Sequence, residues 1–585
     1  PSARIPPIMK RQLRALVLAL CWLPAMARAG AGPLNTLVVV NGASRDSRAL
    51  GMYYLERHGI PETHLCTLKT DPRSPSINQR LFEREIRLPI LAHLADRQLA
   101  GQIDFVVLCM DMPSRVENSN GITAALFYGY KPYPRDPKCN LASNSVNQYF
   151  GTERAYAATA GWNKTNMPIF FLLTAPSLET AKQVVDRAVE STASFPAGIF
   201  GLYGSGDSAR NIRHRTYSIV ARQFELFGRG EWIDVNPSAS PVPPRPVLGY
   251  LTGLAALPAA LDNLVLAPGA IADHLTSCAG MIPDPCDNQS SVWDWLRLGA
   301  VASYGTVSEP CAYEVKFPVP MLFFWYARGF TAGEALAMSV RNPYQGIWVG
   351  DPLAAPFAAP PVVRITAPAY NAEVDGDVPL QISVAAHDRG APPIFLDLYL
   401  DGRHHAPVTR PFAPVGNEIA AHIGTNRFAY TIAPGEDLFA AVAGLAWAVN
   451  YHGGGQLTAK SHADRLEITT RAPLDEDGQP LPFSVTTEPG FAPALYIGGT
   501  AGTDRLLIED GIGRAAAAFH LGTTRTWEIE YPLDLSALEP GPHVLSVVAR
   551  DGTAMECQGQ ADLPFRIPPR PASAGGADRD NRPGG

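Results

Sequence analysis

A chain of 585 residues, 46% hydrophobic and 18% charged, is too long for one ordinary core and too apolar to be disordered, so several domain-sized units are expected. Its formal charge of -7 at pH 7 sets the average field against a nucleic-acid backbone or an anionic membrane surface as partner.

Lys10, Arg11 and Arg14 precede the apolar run LVLALCWL, and Ala27-Arg28-Ala29 supplies small residues at the cleavage positions. This is the pattern of an export signal over residues 9–29, removed after Ala29. The apolar run falls well short of the roughly 20 residues that a spanning helix needs. No later segment reads as a span, so the expected product is periplasmic or extracellular, with no transmembrane segment. Removal leaves Cys66, Cys109, Cys139, Cys278, Cys286, Cys311 and Cys557, an odd set in which at least one thiol stays unpaired. Cys278 with Cys286 is the nearest pair in sequence, and Cys286 with Cys311 is equally open.

From Thr36 to about Phe357, apolar strands alternate with amphipathic helices, which predicts an α/β unit over 34–357 with a mostly parallel sheet and helices on both faces. TLVVVN reads as a buried strand and NGASRDS as a turn whose Asp46 or Ser47 caps the helix RALGMYYLERH; Gly59 and Pro61 end it. IDFVVLCM is a second strand, with Asp111 at its carboxyl end, and PIFFLL is a third. Ser177 then caps a helix with Leu178, Ala181, Val184, Val185 and Ala188 on one face. Further strands are expected at AGIFGLY, PVLGYL, PGAIAD, AVASYGTV and GIWVG.

After APPVV at 359–363 the pattern becomes all-β. VVRITAP, VPLQISVAAHD and IFLDLYLDGR, then much later TWEIEYPLDL, HVLSVVARDG and DLPFRI, read as the two halves of a sandwich, 361–412 and 524–567. Between them, over 413–523, PGEDLFAAVAGLAWAVN suits a helix with Leu438, Val442, Leu445 and Val449 on one face, followed by strand-like LTAKSHADRLEITTRA, an α+β insertion. The tail 568–585 has no apolar periodicity and is expected to be disordered.

The chemistry concentrates near DHLTSCAG. A cysteine nucleophile needs a thiolate, a His as base or counter-ion, and donors for the oxyanion; Cys278 with His274 or His214 is the candidate catalytic set. The competing structural reading makes Asp273, His274 and Thr276 a hydrogen-bonded strand-end cluster beside a buried or disulfide-bonded Cys278. Open α/β sheets carry ligand groups at their strand ends, which marks Asp46, Asp111, Thr276, Ser277, Glu309 and Asp351 as candidate ligand-binding residues. NGASRDS lacks both GxGxxG and a Lys followed by Ser or Thr, and YGSGD at 203–207 has Tyr203 where a nucleophile elbow has Gly. No spacing suits a zinc site, and no cofactor is implied. In SVWDWLRL, Ser291 and Asp294 make a capping-box start and Gly299 ends the helix; its two Trp are core or sugar-platform residues.

VVVNGASRDSRALGMYYLERHGIP, IDFVVLCMDMPSRV, PGAIADHLTS, LGAVASYGTVSEP and VGDPL together resemble a family of exported bacterial proteins with no assigned activity. The order of strand, Cys-containing turn, helix, GAVASYG strand and GDP-containing strand is also similar to gingipain-type cysteine peptidases of the caspase-like fold. Those carry an immunoglobulin-like domain after the catalytic one, and LYLDGR and EPGPHVLSVVARDG match the turn phrases of such modules. The resemblance implies a caspase-like domain with Cys278 near the nucleophile position. Where the peptidases have His-Gly, LGYLTG offers Tyr250, Thr252 and Gly253, so His214 or His274 would have to substitute. The leading expectation is a protein that binds a ligand or polypeptide at the strand-end rim, with its sandwich used for stability or surface association. A cysteine peptidase using Cys278 is the alternative, and a carbohydrate-active or cell-surface binding protein the third. A disulfide at Cys278 separates the first two, and solvent-facing Trp rings mark the third.

Overall fold

A computed structural model describes residues 27–28, 30–117, 119–132, 146–157, 167–286, 288–308, 313–409, 415–488, 497–499 and 504–570. Ten strands build its central sheet: Thr36–Asn41 (β1), Leu65–Leu68 (β2), Phe105–Cys109 (β3), Ile169–Leu173 (β4), Ile199–Tyr203 (β5), Ile233–Asn236 (β6), Val247–Thr252 (β7), Leu266–His274 (β8), Ala302–Thr306 (β9) and Gly346–Gly350 (β10). They lie in the order β6-β5-β7-β8-β9-β10-β4-β3-β1-β2. The sheet is mostly parallel; β9 and β10 pair antiparallel, with Ala302 opposite Gly350 and Thr306 opposite Gly346. Every residue of β1, β3, β4, β5, β7, β9 and β10 is buried, which explains why these strands read as unbroken apolar runs rather than alternating ones. The edge strands β2 and β6 are only partly buried, and neither stands out in the sequence.

The helices start where side-chain oxygens can take up free amides. Arg45–His58 (α1) is capped by Ser44, whose side chain accepts from Ser47 N, so the expected capping by Asp46 or Ser47 is corrected to a residue two or three positions earlier. Gly59, at φ 65°, ends α1 in the left-handed region. Leu178–Ser191 (α2) is capped by Ser177 and buries Ala181, Val184, Val185 and Ala188, as its periodicity predicts. The two helices are tied side by side, since Tyr53 Oη and Arg57 Nε both donate to Asp186, at 2.6 and 2.7 Å. Val292–Leu298 (α3) has the capping box of Ser291 and Asp294 and ends at Gly299; Ala332–Ser339 (α4) has one of Thr331 and Glu334.

Beyond the α/β unit, the strands are antiparallel. The longer ones, in chain order, are Val362–Ala367 (β11), Asp377–Ala385 (β12), Pro393–Leu400 (β13), Arg403–Thr409 (β14), Glu418–Ile423 (β15), Asn426–Thr431 (β16), Leu457–His462 (β17), Arg465–Thr470 (β18), Phe483–Thr487 (β19), Ile512–Leu521 (β20), Thr526–Asp534 (β21), Gly541–Asp551 (β22) and Gln558–Ile567 (β23), with the three-residue strands Ile497–Gly499 and Leu507–Glu509 paired to β20. One sheet, β11-β12-β21, and another, β23-β22-β13-β14, share an apolar core in which Leu380, Ile382 and Val384 join Leu396, Leu398 and Val547. Strand β12 alternates buried and exposed residues, the sign of a sheet with one wet face. The segment between β14 and β21 has its own core, formed by Leu438–His452 (α5) against two further sheets. Leu438, Val442, Leu445 and Val449 of α5 are buried there, while Trp447 and Tyr451 stack in solvent at 5.0 Å between centroids.

A buried ionic network fastens that segment to the α/β unit. Glu153 accepts from Arg465 at 2.7 and 2.8 Å and from Arg328 at 3.1 Å, and Arg328 also donates to Asp464 at 2.7 and 2.9 Å. Among the described residues no helix is long and apolar enough to cross a membrane. Most of the 568–585 tail lies outside the described residues.

Candidate functional site

The site grows out of the carboxyl ends of β7, β8 and β9. Beyond His274, the chain turns through Thr276, Ser277 and Cys278 and is laid across the end of β9: Thr306 Oγ1 donates to the carbonyls of Thr276 and Ser277, at 3.1 and 2.8 Å, and Gly280 N to Thr306 O at 2.9 Å. Gly280 is required there, because a Cβ would stand 2.6 Å from the Gly305 carbonyl oxygen. Gln289 locks the loop from the other side: its Oε1 accepts from Thr276 Oγ1 at 2.5 Å and from Cys278 N at 3.0 Å.

Cys278 is bonded to Cys286. A half-cystine has no thiolate to offer, so the nucleophile role expected for Cys278 is corrected: the sulfur is a staple for the loop. His274 is corrected as a base for a separate reason. It is buried, accepts from Trp295 Nε1 at Nδ1, 2.9 Å, and lies 3.1 Å from Ser290 O through Nε2. Burial drives its pKa down to about 4, against the help of the Ser290 carbonyl and with Arg213 and Arg210 adding repulsion. The ring is a neutral core residue with both nitrogens engaged. His214 is exposed on the 3-10 segment Asn211–Thr216, its Nδ1 2.5 Å from Asn211 O, so neither histidine forms a dyad with Cys278. Trp295 is fully buried, the core alternative rather than a sugar platform.

The other expected ligand groups divide. Thr276 and Ser277 are in this rim, both buried. Asp351 is not. Its N–H bonds Val301 O, beside the start of β9, whereas Thr306 is the end of β9. There the carboxylate is buried and accepts from Tyr54 Oη at 2.9 Å and Leu353 N at 2.9 Å, with His58 Nε2 at 2.7 Å, so it pins the last turn of α1 to the strand. Asp111 belongs to a third place, the end of β3, where it accepts from Ser44 Oγ and its carbonyl accepts from Asn41 Nδ2 at 2.8 Å. That turn satisfies its own polar groups, and Asp46 is exposed in the first turn of α1. Glu309 lies outside the described residues, as do Cys139 and Cys311.

What sequence reading passed over is the basic run around 210–213. Arg213 is buried under the rim, donating to Asp273 at 2.5 Å, to Pro318 O at 3.2 Å and to Thr252 O. Burial pushes the Asp273 carboxyl up even though Arg213 pulls it down, and Asp273 Oδ1 and Arg213 Nε have no partner among the described residues. One turn earlier, Arg210 is three-quarters buried. Its Nε donates to Thr276 Oγ1 at 3.1 Å and its Nη1 to Asp207 at 2.7 Å. Partial burial alone would raise the Asp207 carboxyl, but the hydrogen bonds from Arg210 hold it below its ordinary value. An Arg-rich turn before a helix resembles any solvated face in sequence; only the Asp273 contact reveals it as an inward one.

The rim therefore presents an accepting carboxylate and a donating guanidinium, set over a stapled loop whose Thr276 and Ser277 are buried. Among the described residues no cluster of three or more His, Cys, Asp or Glu could hold a metal ion. No protein-family model matches the chain, and no curated protein sequence matches it.

The staple has a measurable consequence. Closing an eight-residue separation contributes about 2.5 kcal/mol by the loop-entropy model, so Cys286→Ser is expected to lower denaturant stability by about that amount. Iodoacetamide on the native, unreduced protein should leave Cys66, Cys109, Cys278, Cys286 and Cys557 unlabelled. The first, second and last are buried, and burial pushes the Cys66 thiol up to about 12. Native labelling at Cys278 would contradict the staple.

Proposed function

We propose that this is an exported multidomain protein whose α/β unit, read as caspase-like, binds a ligand or polypeptide at the rim formed by β7, β8 and β9. The antiparallel unit that follows is read as an immunoglobulin-like module serving stability or surface association. The observation that carries this reading is the Arg210–Asp207 pair standing over Thr276, while the groups a cysteine peptidase needs are engaged elsewhere. Such a pair complements a peptide unit: the carboxylate accepts an amide N–H, and the guanidinium donates to a carbonyl or carboxylate.

The test is fluorescence anisotropy with a fluorescein-labelled pool of acidic hexapeptides, a basic pool serving as control. Loss of one charge-assisted hydrogen bond is worth about tenfold or more in affinity, so Arg210→Ala should weaken acidic-pool binding by that factor. Equal binding by the variant, with an unchanged circular-dichroism spectrum, sinks the reading. A carbohydrate reading has one observation in its favour, the exposed stack of Trp447 and Tyr451 on α5, which is remote in sequence from the Trp pair first considered.

A further inference from the structure

A second constellation lies where the α/β unit meets β22 and β23. Glu334, at the third position of α4, is fully buried; its Oε2 accepts from Thr331 N and Oγ1 at 3.1 and 3.0 Å, and its Oε1 from Tyr156 N at 3.0 Å. Buried Glu556 repels it, buried Asp104 is repelled by both, and buried Asp551 is repelled by the same Glu556. Arg550 is the only cation that ion pairs among the described residues supply to this group, and it is engaged by Glu556 and, at 3.5 Å, by Asp397. Glu334, Asp104 and Asp551 have no ion pair among the described residues. Asp104 Oδ2 is buried with no hydrogen-bond partner there. Burial pushes Glu334 and Asp551 up to about 7 and Asp104 well above its ordinary value, and Glu556 repels all three. The cluster is short of positive charge.

Gly30 enters this cluster. It is buried, its N–H donates to Met555 O at 2.9 Å, next to Glu556, and its carbonyl accepts from Gln558 Nε2. A Cβ on Gly30 would stand 2.6 Å from Glu334 Oε1, 2.7 Å from Ala155 Cβ and 2.8 Å from Met555 O, so the socket closes around a residue without a side chain. Since N and Cβ of one residue are about 2.5 Å apart, the Gly30 nitrogen is within about 5 Å of that carboxyl oxygen. Just before it, Ala27 and Arg28 pair with Gly559 and Gln558 on the edge of β23. Gly30 is also the residue after Ala27-Arg28-Ala29, where the sequence reads as a leader-cleavage site.

We propose that hydrolysis of the Ala29–Gly30 bond gives Gly30 an α-ammonium that serves as the missing cation of this carboxyl cluster, so that the mature fold is latched by its own new N-terminus. The step consumes one water at a leader-processing enzyme, leaving a carboxylate on Ala29 and the ammonium on Gly30. The ammonium keeps its hydrogen bond to Met555 O and gains Glu334 as counter-ion. Glu556 adds to the negative field at Glu334, and Arg550 opposes it at Asp104.

Three measurements test this. Full-length precursor expressed in a bacterial host with its leader is expected to yield a product whose first residue is Gly30 by mass spectrometry; any other first residue overturns the proposal. Chains are then prepared to begin at Gly30 or, one residue longer, at Ala29. The Gly30 chain is expected to melt about 4 °C higher, a shift that Glu334→Gln removes; equal melting in both wild-type chains overturns it. Independently of any variant, the Gly30 α-amine should acylate at least tenfold more slowly in the native protein at pH 7 than in urea. An amine equally reactive in both states also overturns it.

Discussion

Arg213→Met is expected to destabilise the protein by about 3–5 kcal/mol, the loss typical when one partner of a buried pair is removed. Arg213 is 1% and Asp273 0% exposed, so water cannot replace the lost guanidinium. The substitution strands the Asp273 carboxyl and removes donors from the Thr252 and Pro318 carbonyls. Methionine keeps most of the volume, so little of the loss is a cavity effect. The companion double variant, Arg213→Met with Asp273→Leu, should recover to within about 1–2 kcal/mol of the parent, since the desolvation of the pair disappears with its attraction. Urea unfolding of the parent, both singles and the double gives the coupling energy. A single variant within 1 kcal/mol of the parent would falsify the assignment of this pair as the rim's anchor. Because Arg210 stands one turn before Arg213, the same variant should also weaken acidic-peptide binding.

The second large effect is acid sensitivity at the junction with the α5 segment. Burial alone would raise the Glu153 carboxyl, but attraction and hydrogen bonds from Arg465, then attraction from Arg328 and His462, outweigh it and bring the pKa down to about 2 from 4.5. The folded-state value is the depressed one, so the stabilisation is complete above the unfolded value and is lost as pH falls from about 4.5 toward 2. A shift of that size is worth about 3 kcal/mol. Denaturant stability measured between pH 6 and pH 2.5 should therefore fall more steeply in the parent than in Glu153→Gln. The variant should also be about 3 kcal/mol or more weaker at pH 7, since it leaves Arg465, fully buried, short of its counter-charge. Parallel pH profiles in the two proteins would rule out Glu153 as the titrating group.

Much of the architecture is written locally. The eight interior strands of the central sheet are continuous or near-continuous apolar runs, the pattern of strands buried on both faces. The edge strands LCTL and IDVN escaped notice for the complementary reason: with a neighbour on one side only they carry polar residues, and at four residues each they are too short for a period to stand out. Ser177, Ser291 and Asp294 announced helix starts because capping is a contact between residues two or three apart. Ser44 caps through an equally local contact, to Ser47 N, but Asp46 and Ser47 stand close by as competing cap types, so residue type alone did not single it out.

The site followed the same division. DHLTSCAG was visible as a polar strand end, since residue type and strand position suffice for that. Whether Cys278 is a thiol depends on whether Cys286 pairs with it or with Cys311, and whether His274 is a base depends on Trp295 and Ser290 occupying its nitrogens. Asp351 looked like a rim residue because the carboxyl end of a strand usually is one, but β10 runs antiparallel to β9 and delivers it to the other end of β9. By itself the sequence determined the α/β unit, the antiparallel runs after it and the places where polar residues end strands. The tertiary structure alone decided which of those polar groups meet, and so which are structural and which remain at the surface. Strand and cap preferences act over a few residues, whereas sulfur pairing, charge pairing and burial act between residues brought together only by the fold.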